Sequence, residues 1–568
     1  MSTPSSLTPS VPSIPVRITV SNHHGFVKQD PYEWIRTDSG SLASALAAER
    51  AYSEVMLESV RADADSILEG VANEMITAEL GFPQRQNGYW FMPHQPQGAR
   101  YPQILKLPSR DGSHRPPTPE DVLDDASGAE VLIDFNHELR SEHVSIGSVH
   151  MSPCERFVAW TEDRTGEERY ILRLRRVAEK AGTTLEIPNS SATAVFSKSG
   201  DHIYVLHLDE LNRPHEVWRY RTSDVADREL VLAENDAAFR LRVERSLSNA
   251  FIFITATNRD TTKNFYLNST ELDPHIQSFP ENSTPSRMTA AHLRIGESDY
   301  FALTVTSDEL PNGQLLLAKV EEGTMCARNQ WRVLLDHSPE VDLSPAVALK
   351  SFLLIGTKHA ARNSILVAKT DRLISLDTAE FEKIAPWANA NVRLVMSPEW
   401  TSRSIIVSRV SYIDAPAAFE VDLGRPNDPP ALIVDSSSPS RGDQYVEDLI
   451  WAPAADSTRI PITIVYNRET LQNSAKTLLT GYGAYNVSME ARYNPLLLQL
   501  LDQGVLFAIA HVRGGGENGN LWHTAARRLA KCTSFTDFLA CRDHLVQKQD
   551  GLMTAGSSHS EAARVGYW

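Results

Sequence analysis

The sequence predicts a β-propeller of about seven blades followed by a second domain of α/β type. Two observations carry this. From about Gln84 to Leu423, polar turns alternate with short hydrophobic strands at a period of about 45–50 residues. Beyond Tyr445, apolar β-branched runs alternate with helix-like stretches, and one run ends in the cluster Arg513-Gly514-Gly515-Gly516-Glu517.

The leader Met1 to Pro15 is Ser/Pro/Thr-rich and uncharged, without the basic start and apolar core of a secretory signal. Ser41 to about Glu79 reads as helix, with Leu42, Leu46, Tyr52, Met56 and Ile67 spaced to line one face. Propeller repeats follow. Ser152 precedes Phe157-Val158-Ala159-Trp160, Ser197 precedes Ile203-Tyr204-Val205-Leu206, and Ser246 precedes Phe251-Ile252-Phe253-Ile254. A fourth copy has Ser397 before Ile405-Ile406-Val407, and weaker copies lie near 296–303 and 348–355. About 340 residues at about 50 per blade give about seven blades.

In the last part, Arg459–Tyr466 is a strand containing Pro461, which predicts an edge position. Thr477–Tyr485, Gly504–Val512 and a helix over 535–549 complete a pattern that predicts a mostly parallel sheet. The expected domains are 1–79, a helical extension packing on the last part, then a propeller over 80–435 and an α/β domain over 436–568.

A net charge of −17 argues against nucleic acid or an anionic membrane as partner and makes cationic ligands plausible. Cys154, Cys326, Cys532 and Cys541 form no CxxC pair, which suits reduced thiols and a cytoplasmic setting. No apolar run reaches membrane-spanning length. No metal or other cofactor is expected. His137 and His143 are six apart and make no HExxH helix face, so that segment reads as a polar loop. His23-His24 is not read as a metal pair. Gly514-Gly515-Gly516 lacks the Lys-Ser/Thr of a phosphate loop, and its glycines are expected to supply backbone angles closed to other residues.

An ordered set of motifs resembles the prolyl oligopeptidase family of serine peptidases, with its oligopeptidase B branch the nearer match. The set comprises His24-Gly25 to Arg36, Asn87-Gly88-Tyr89-Trp90, Tyr101-Pro102, Gly166 to Tyr170, Leu208-Asp209-Glu210, Arg213-Pro214 and Val217-Trp218-Arg219. Its strongest members are Gly481-Tyr482-Gly483-Ala484-Tyr485, His511 to Glu517, and Trp522. The resemblance implies a propeller that filters short peptides and an α/β-hydrolase domain that cuts after proline or after Arg/Lys. It assigns Tyr482 to the oxyanion hole, where a fixed donor stabilises charge that develops in the transition state. It places Glu490 at a position that reads a basic side chain, whereas Arg492 reverses the charge at the neighbouring acidic position.

The same resemblance implies a G-x-S-x-G elbow soon after residue 549, on a strained strand-to-helix turn. The sequence has Gly556-Ser557-Ser558-His559-Ser560 there, with Ser560 where the second glycine should stand. Nucleophile, acid and base are therefore absent from the expected site, and the hydrolase domain is expected to be incomplete and inactive, with an apolar sheet edge laid open. Reading the last base of each codon with the first two of the next allows Ser560 to Trp568 to spell Gly-Gly-Ser-Ala-Gly-Gly-Leu-Leu. Residues from about 555 to 568 are thus expected to be out of frame. The alternative from another class is a non-catalytic propeller that binds peptides or proteins.

Overall fold

A computed structural model describes residues 10–74, 84–96, 98–109, 117, 122, 128–138, 144–179, 185–280, 285–374, 379–384, 391–395, 399–414, 417–435, 444–472, 475–552 and 565–566. The chain divides into two compact units, 1–75 and 76–568.

In the first unit, Thr19–His23 and Phe26–Asp30 pair as an antiparallel hairpin. His24 and Gly25 both take left-handed backbone (φ 52° and 87°), as a two-residue hairpin turn requires. Trp34 is buried under the Arg17 guanidinium, 5.0 Å from the ring centre. The helix expected from Ser41 to about Glu79 is two helices, Ser39–Leu57 and Arg61–Glu74, separated by a tight turn at Glu58–Val60. Asp38 caps the first, accepting from Ser41 N–H at 3.0 Å.

The second unit opens with seven propeller blades among its described residues. They span 84–134, 145–190, 190–233, 240–278, 286–335, 342–384 and 392–435. Asn87-Gly88 repeats the left-handed hairpin turn of His24-Gly25. The serine repeat is a turn clasp. Ser152 Oγ accepts from Phe157 N–H at 3.0 Å, Ser197 Oγ from His202 N–H at 3.2 Å, and Ser246 Oγ from Phe251 N–H at 3.0 Å. In each turn the serine N–H donates to the carbonyl of that same partner at 2.9 Å. One hydroxyl thus fixes the entry into the most buried strand of each of blades two, three and four. Ser397 of the fourth copy lies outside the described residues.

Blades two and three are one sheet. The twelve-residue strand Leu185–Phe196 pairs through its first half with Tyr170–Arg176 and through its second half with His202–Leu208, bending at a register shift between Ser190 and Ala194. The other neighbours share no strand and meet through side chains and single backbone bonds, such as Lys198 N–H to Ser269 O at 3.3 Å and Lys350 N–H to Trp400 O at 2.8 Å. Between blades four and five, Phe251, Tyr266 and Phe301 pack edge to face at 5.1–6.1 Å. The ring closes where Arg85 lies 3.7 Å from Glu399 and Asn87 N–H donates to the same carboxylate at 3.1 Å.

The α/β part is a five-stranded sheet, ordered Tyr445–Pro453, Arg459–Asn467, Leu506–Ala510, Thr477–Gly481, Val565–Gly566. It is half antiparallel, because only the pairings made by Thr477–Gly481 are parallel. The Arg459–Asn467 strand is internal, which corrects the edge position expected from Pro461. His511 N–H donates to Pro461 O at 3.0 Å, and the reciprocal bond that proline cannot make is supplied by Trp522 Nε1–H, 3.1 Å from His511 O. The expected open edge along Thr477–Gly481 is covered at Thr477 and Leu478 by Val565 and Gly566. Apart from those two residues, 553–568, with Ser558 and nearly all of the stretch expected to be out of frame, lie outside the described residues.

Candidate active site

Two buried parallel strands aim their C-terminal ends at one place. Thr477–Gly481 and Leu506–Ala510 pair along their whole length, and Ala508, Ile509 and Ala510 are fully buried. The loops that follow, 482–494 and 511–518, interlock. Gly483 has a left-handed backbone (φ 66°), and a Cβ there would stand 2.4 Å from a Val512 methyl. Gly514 (φ 101°) presses on it, since a Cβ would stand 2.1 Å from Gly483 O. Only Gly514 of the glycine run needs a special backbone angle. Gly515 and Gly516 are required for space, as Cβ atoms would meet Glu517 Oε2 at 2.1 Å and Asn486 O at 2.4 Å.

Charge locks the loops. Arg513, buried, grips the fully buried Asp537 with two parallel bonds, Nε to Oδ2 at 2.8 Å and Nη2 to Oδ1 at 2.6 Å. Asp456 takes a third bond from Arg513 Nη1. Hydrogen bonds to Asp537 and Asp456 raise the Arg513 pKa further above its ordinary range. Arg513 in turn holds the Asp456 carboxyl well below the usual carboxylate range. His511 and Glu517, both buried, lie 3.7 Å apart. Glu517 Oε1 accepts from Met489 N–H at 2.9 Å and so ties one loop to the other.

Tyr482 stands on this platform, 49% exposed, and its phenol makes no hydrogen bond among the described residues. Ser534 Oγ lies 3.1 Å from Gly483 O and 2.6 Å from Arg513 O, so the turn beneath the tyrosine is fixed from below. Glu490 is drawn to the propeller. Its carboxylate lies 3.5 Å from Lys358 Nζ, which also donates to Ser488 Oγ at 2.8 Å. Arg492 is exposed. His137 lies in a single helical turn, Phe135–Glu138, which replaces the start of the expected loop. Residues 139–143 lie outside the described residues. Among the described residues no cluster of His, Cys, Asp or Glu could hold a metal ion.

Sequence reading missed the Arg513–Asp537–Asp456 clamp and Lys358. Arg513 stood inside the glycine motif, but its partners are 24 and 57 residues away.

The propeller faces these loops directly. Ala361 N–H donates to Glu517 O at 3.1 Å, Tyr412 Oη to Met489 O at 3.3 Å, and Leu521 N–H to Asn312 Oδ1 at 3.3 Å. Between the two lies a cavity of about 1000 Å³, walled by blades four to six on one side and by Tyr485, Asn486, His523 and Arg527 on the other.

A propeller seated over the strand-end loops of an α/β sheet, with a cavity between them, is the two-domain arrangement of the prolyl oligopeptidases. The chain belongs to the prolyl oligopeptidase family. It matches the description "Prolyl oligopeptidase, N-terminal beta-propeller domain" over residues 12–430 and "Prolyl oligopeptidase family" over 492–558. It is 24% identical to Protease 2 of Moraxella lacunata, over 92% of this chain and 73% of that protein. It is 23% identical to dipeptidyl aminopeptidase BI of Pseudoxanthomonas mexicana, over 92% and 72%. Its fold is similar to oligopeptidase B of Trypanosoma brucei with covalently bound antipain, at TM-score 0.80 and 18% identity over 95% of this chain and 77% of that one. Oligopeptidase B of Leishmania major gives TM-score 0.80 at 20% identity, over 96% and 77%. Among the described residues no helix is long and apolar enough to cross a membrane.

Proposed function

We propose that this chain belongs to a serine-type oligopeptidase that hydrolyses short peptides by acyl transfer, with Tyr482 assisting the oxyanion. The observation that carries this is the cavity between the propeller and the interlocked loops after Thr477–Gly481 and Leu506–Ala510. A site of about 1000 Å³ has room for a short extended peptide. Tyr482 sits on a turn held by Ser534 and Gly514, as a preorganised donor must be. We place the domain limits at 79/80 and 435/436 and the protein in the cytoplasm.

Residues 1–568 contain no G-x-S-x-G sequence. Loss of a triad serine or histidine lowers turnover by about 10⁶. A polypeptide limited to these residues should therefore neither label with a fluorophosphonate nor cleave peptides after proline, arginine or lysine. Labelling at Ser558, or measurable hydrolysis by sequence-verified material, would overturn the inactive reading. The coding DNA tests the frame reading: third bases that do not spell the elbow across Ser560 to Trp568 end it.

The second reading, a non-catalytic propeller that binds peptides, is favoured by the same cavity. Peptide binding without fluorophosphonate labelling supports it.

A further inference from the structure

We propose that the cavity between blades four to six and the 485–528 segment selects peptide segments that carry carboxylates. This rests on the peptide-handling reading above and names the substrate class of that site.

The local charge opposes that of the whole chain. Overall, 72 carboxylate residues outnumber 55 lysines and arginines, a balance that alone made cationic ligands plausible. The cavity wall instead carries five arginines, Arg242, Arg259, Arg287, Arg527 and Arg528, and four acids. Two of the acids are engaged. Glu244 lies 3.8 Å from Arg242, and Asp260 lies 3.3 Å from Arg527. Arg259, Arg287 and Arg528 are exposed within the wall and make no ion pair among the described residues. Of the two remaining acids, Asp342 is mostly withdrawn from solvent beside Lys358. Three unpaired guanidiniums therefore face the space against one exposed carboxylate, Asp308.

The guanidinium fork matches a carboxylate with two parallel hydrogen bonds, so it recognises Asp, Glu or a C-terminal carboxylate more strongly than a neutral side chain. A cationic side chain finds only Asp308 as an exposed, unpaired carboxylate. Glu490, the one acid in residues 486–493, is already neutralised by Lys358.

The wall is also held in place. Tyr485, Asn486 and Arg528 all line the cavity with left-handed backbones (φ 55°, 59° and 55°). Non-glycine residues hold that conformation at a cost, and such residues cluster at ligand sites. Tyr485 leaves 75% of its surface open, offering a rigid ring beside the arginines.

Calorimetric titration of the full chain with two hexapeptides, identical except for two Glu or two Lys, tests the inference. The Glu peptide should bind at least about fivefold more tightly. Arg259→Ser with Arg287→Ser should abolish that preference, while Arg425→Ser, outside the cavity, should retain it. Equal or stronger binding of the Lys peptide overturns the selectivity and leaves peptide handling standing, as does a preference that survives the double substitution. Binding of neither peptide overturns both readings.

Discussion

Trp522 completes a bond that Pro461 cannot make. Its indole N–H donates to His511 O at 3.1 Å, at the ladder position where the proline has no hydrogen to give. Trp522→Phe leaves a buried carbonyl unpaired and should cost roughly 1–3 kcal/mol. In a Pro461→Val background the restored N–H can reach His511 O, so the cost of Trp522→Phe should shrink. Urea denaturation of the four-membered cycle measures the coupling; an unchanged cost would show that packing alone explains Trp522.

Asp537 is fully buried and holds Arg513 by a two-bond fork. Asp537→Ala leaves the buried Arg513 cation with only the half-exposed Asp456 as partner and should destabilise by up to about 3–5 kcal/mol. Arg513→Lys keeps the charge but loses the fork, and should lie between the wild type and Asp537→Ala in thermal melts.

Gly514→Ala drives a methyl to 2.1 Å from Gly483 O at a φ of 101°. Backbone, not a flexible side chain, is in the way, so the two loops must part. Limited proteolysis should then cut first within 482–518 while a propeller fragment persists. A cleavage pattern unchanged from wild type would show that the loops can give.

Burial pushes Asp342 up to about 6 from the ordinary 3.8, against the pull of Lys358. The folded state thus holds this proton more tightly than the unfolded chain does. The stability it contributes is fully present below about pH 4 and is lost as pH rises through about 6. Asp342→Asn should match wild type near pH 4 and be more stable by roughly 1–3 kcal/mol at pH 7.5. Paired melts across that range measure it; a constant difference would remove Asp342 as the cause.

All four cysteines are free thiols. Burial raises the Cys541 thiol to about 12. At Cys154 burial acts in the same direction, but hydrogen bonds from Ser152 and Arg156 prevail and lower it. Iodoacetamide near pH 7.5 should modify Cys154 and the exposed Cys532 while sparing Cys541 until the chain unfolds. Peptide mapping by mass spectrometry reads the order.

The propeller was legible because its repeat is local. Ser152, Ser197 and Ser246 each bond a residue five positions on, so the clasp appears in the sequence as a period. The glycine loops were legible for the same reason. Pro461 misled because its remedy, Trp522, lies 61 residues away and across two loops. Glu490 read as a free acid because Lys358, which neutralises it, comes from another domain. Blades two and three looked like separate repeats, since nothing local marks Leu185–Phe196 as one strand serving both. Properties set by distant partners left no periodic trace.

The Leu185–Phe196 strand also makes the ring mechanically uneven. Along that arc two blades are stitched by main-chain hydrogen bonds and must move as one body. At the junction of the first and last blades, Arg85 and Asn87 both converge on the single carboxylate of Glu399. If the ring parts to admit a chain, the seam at Glu399 yields before the stitched arc does.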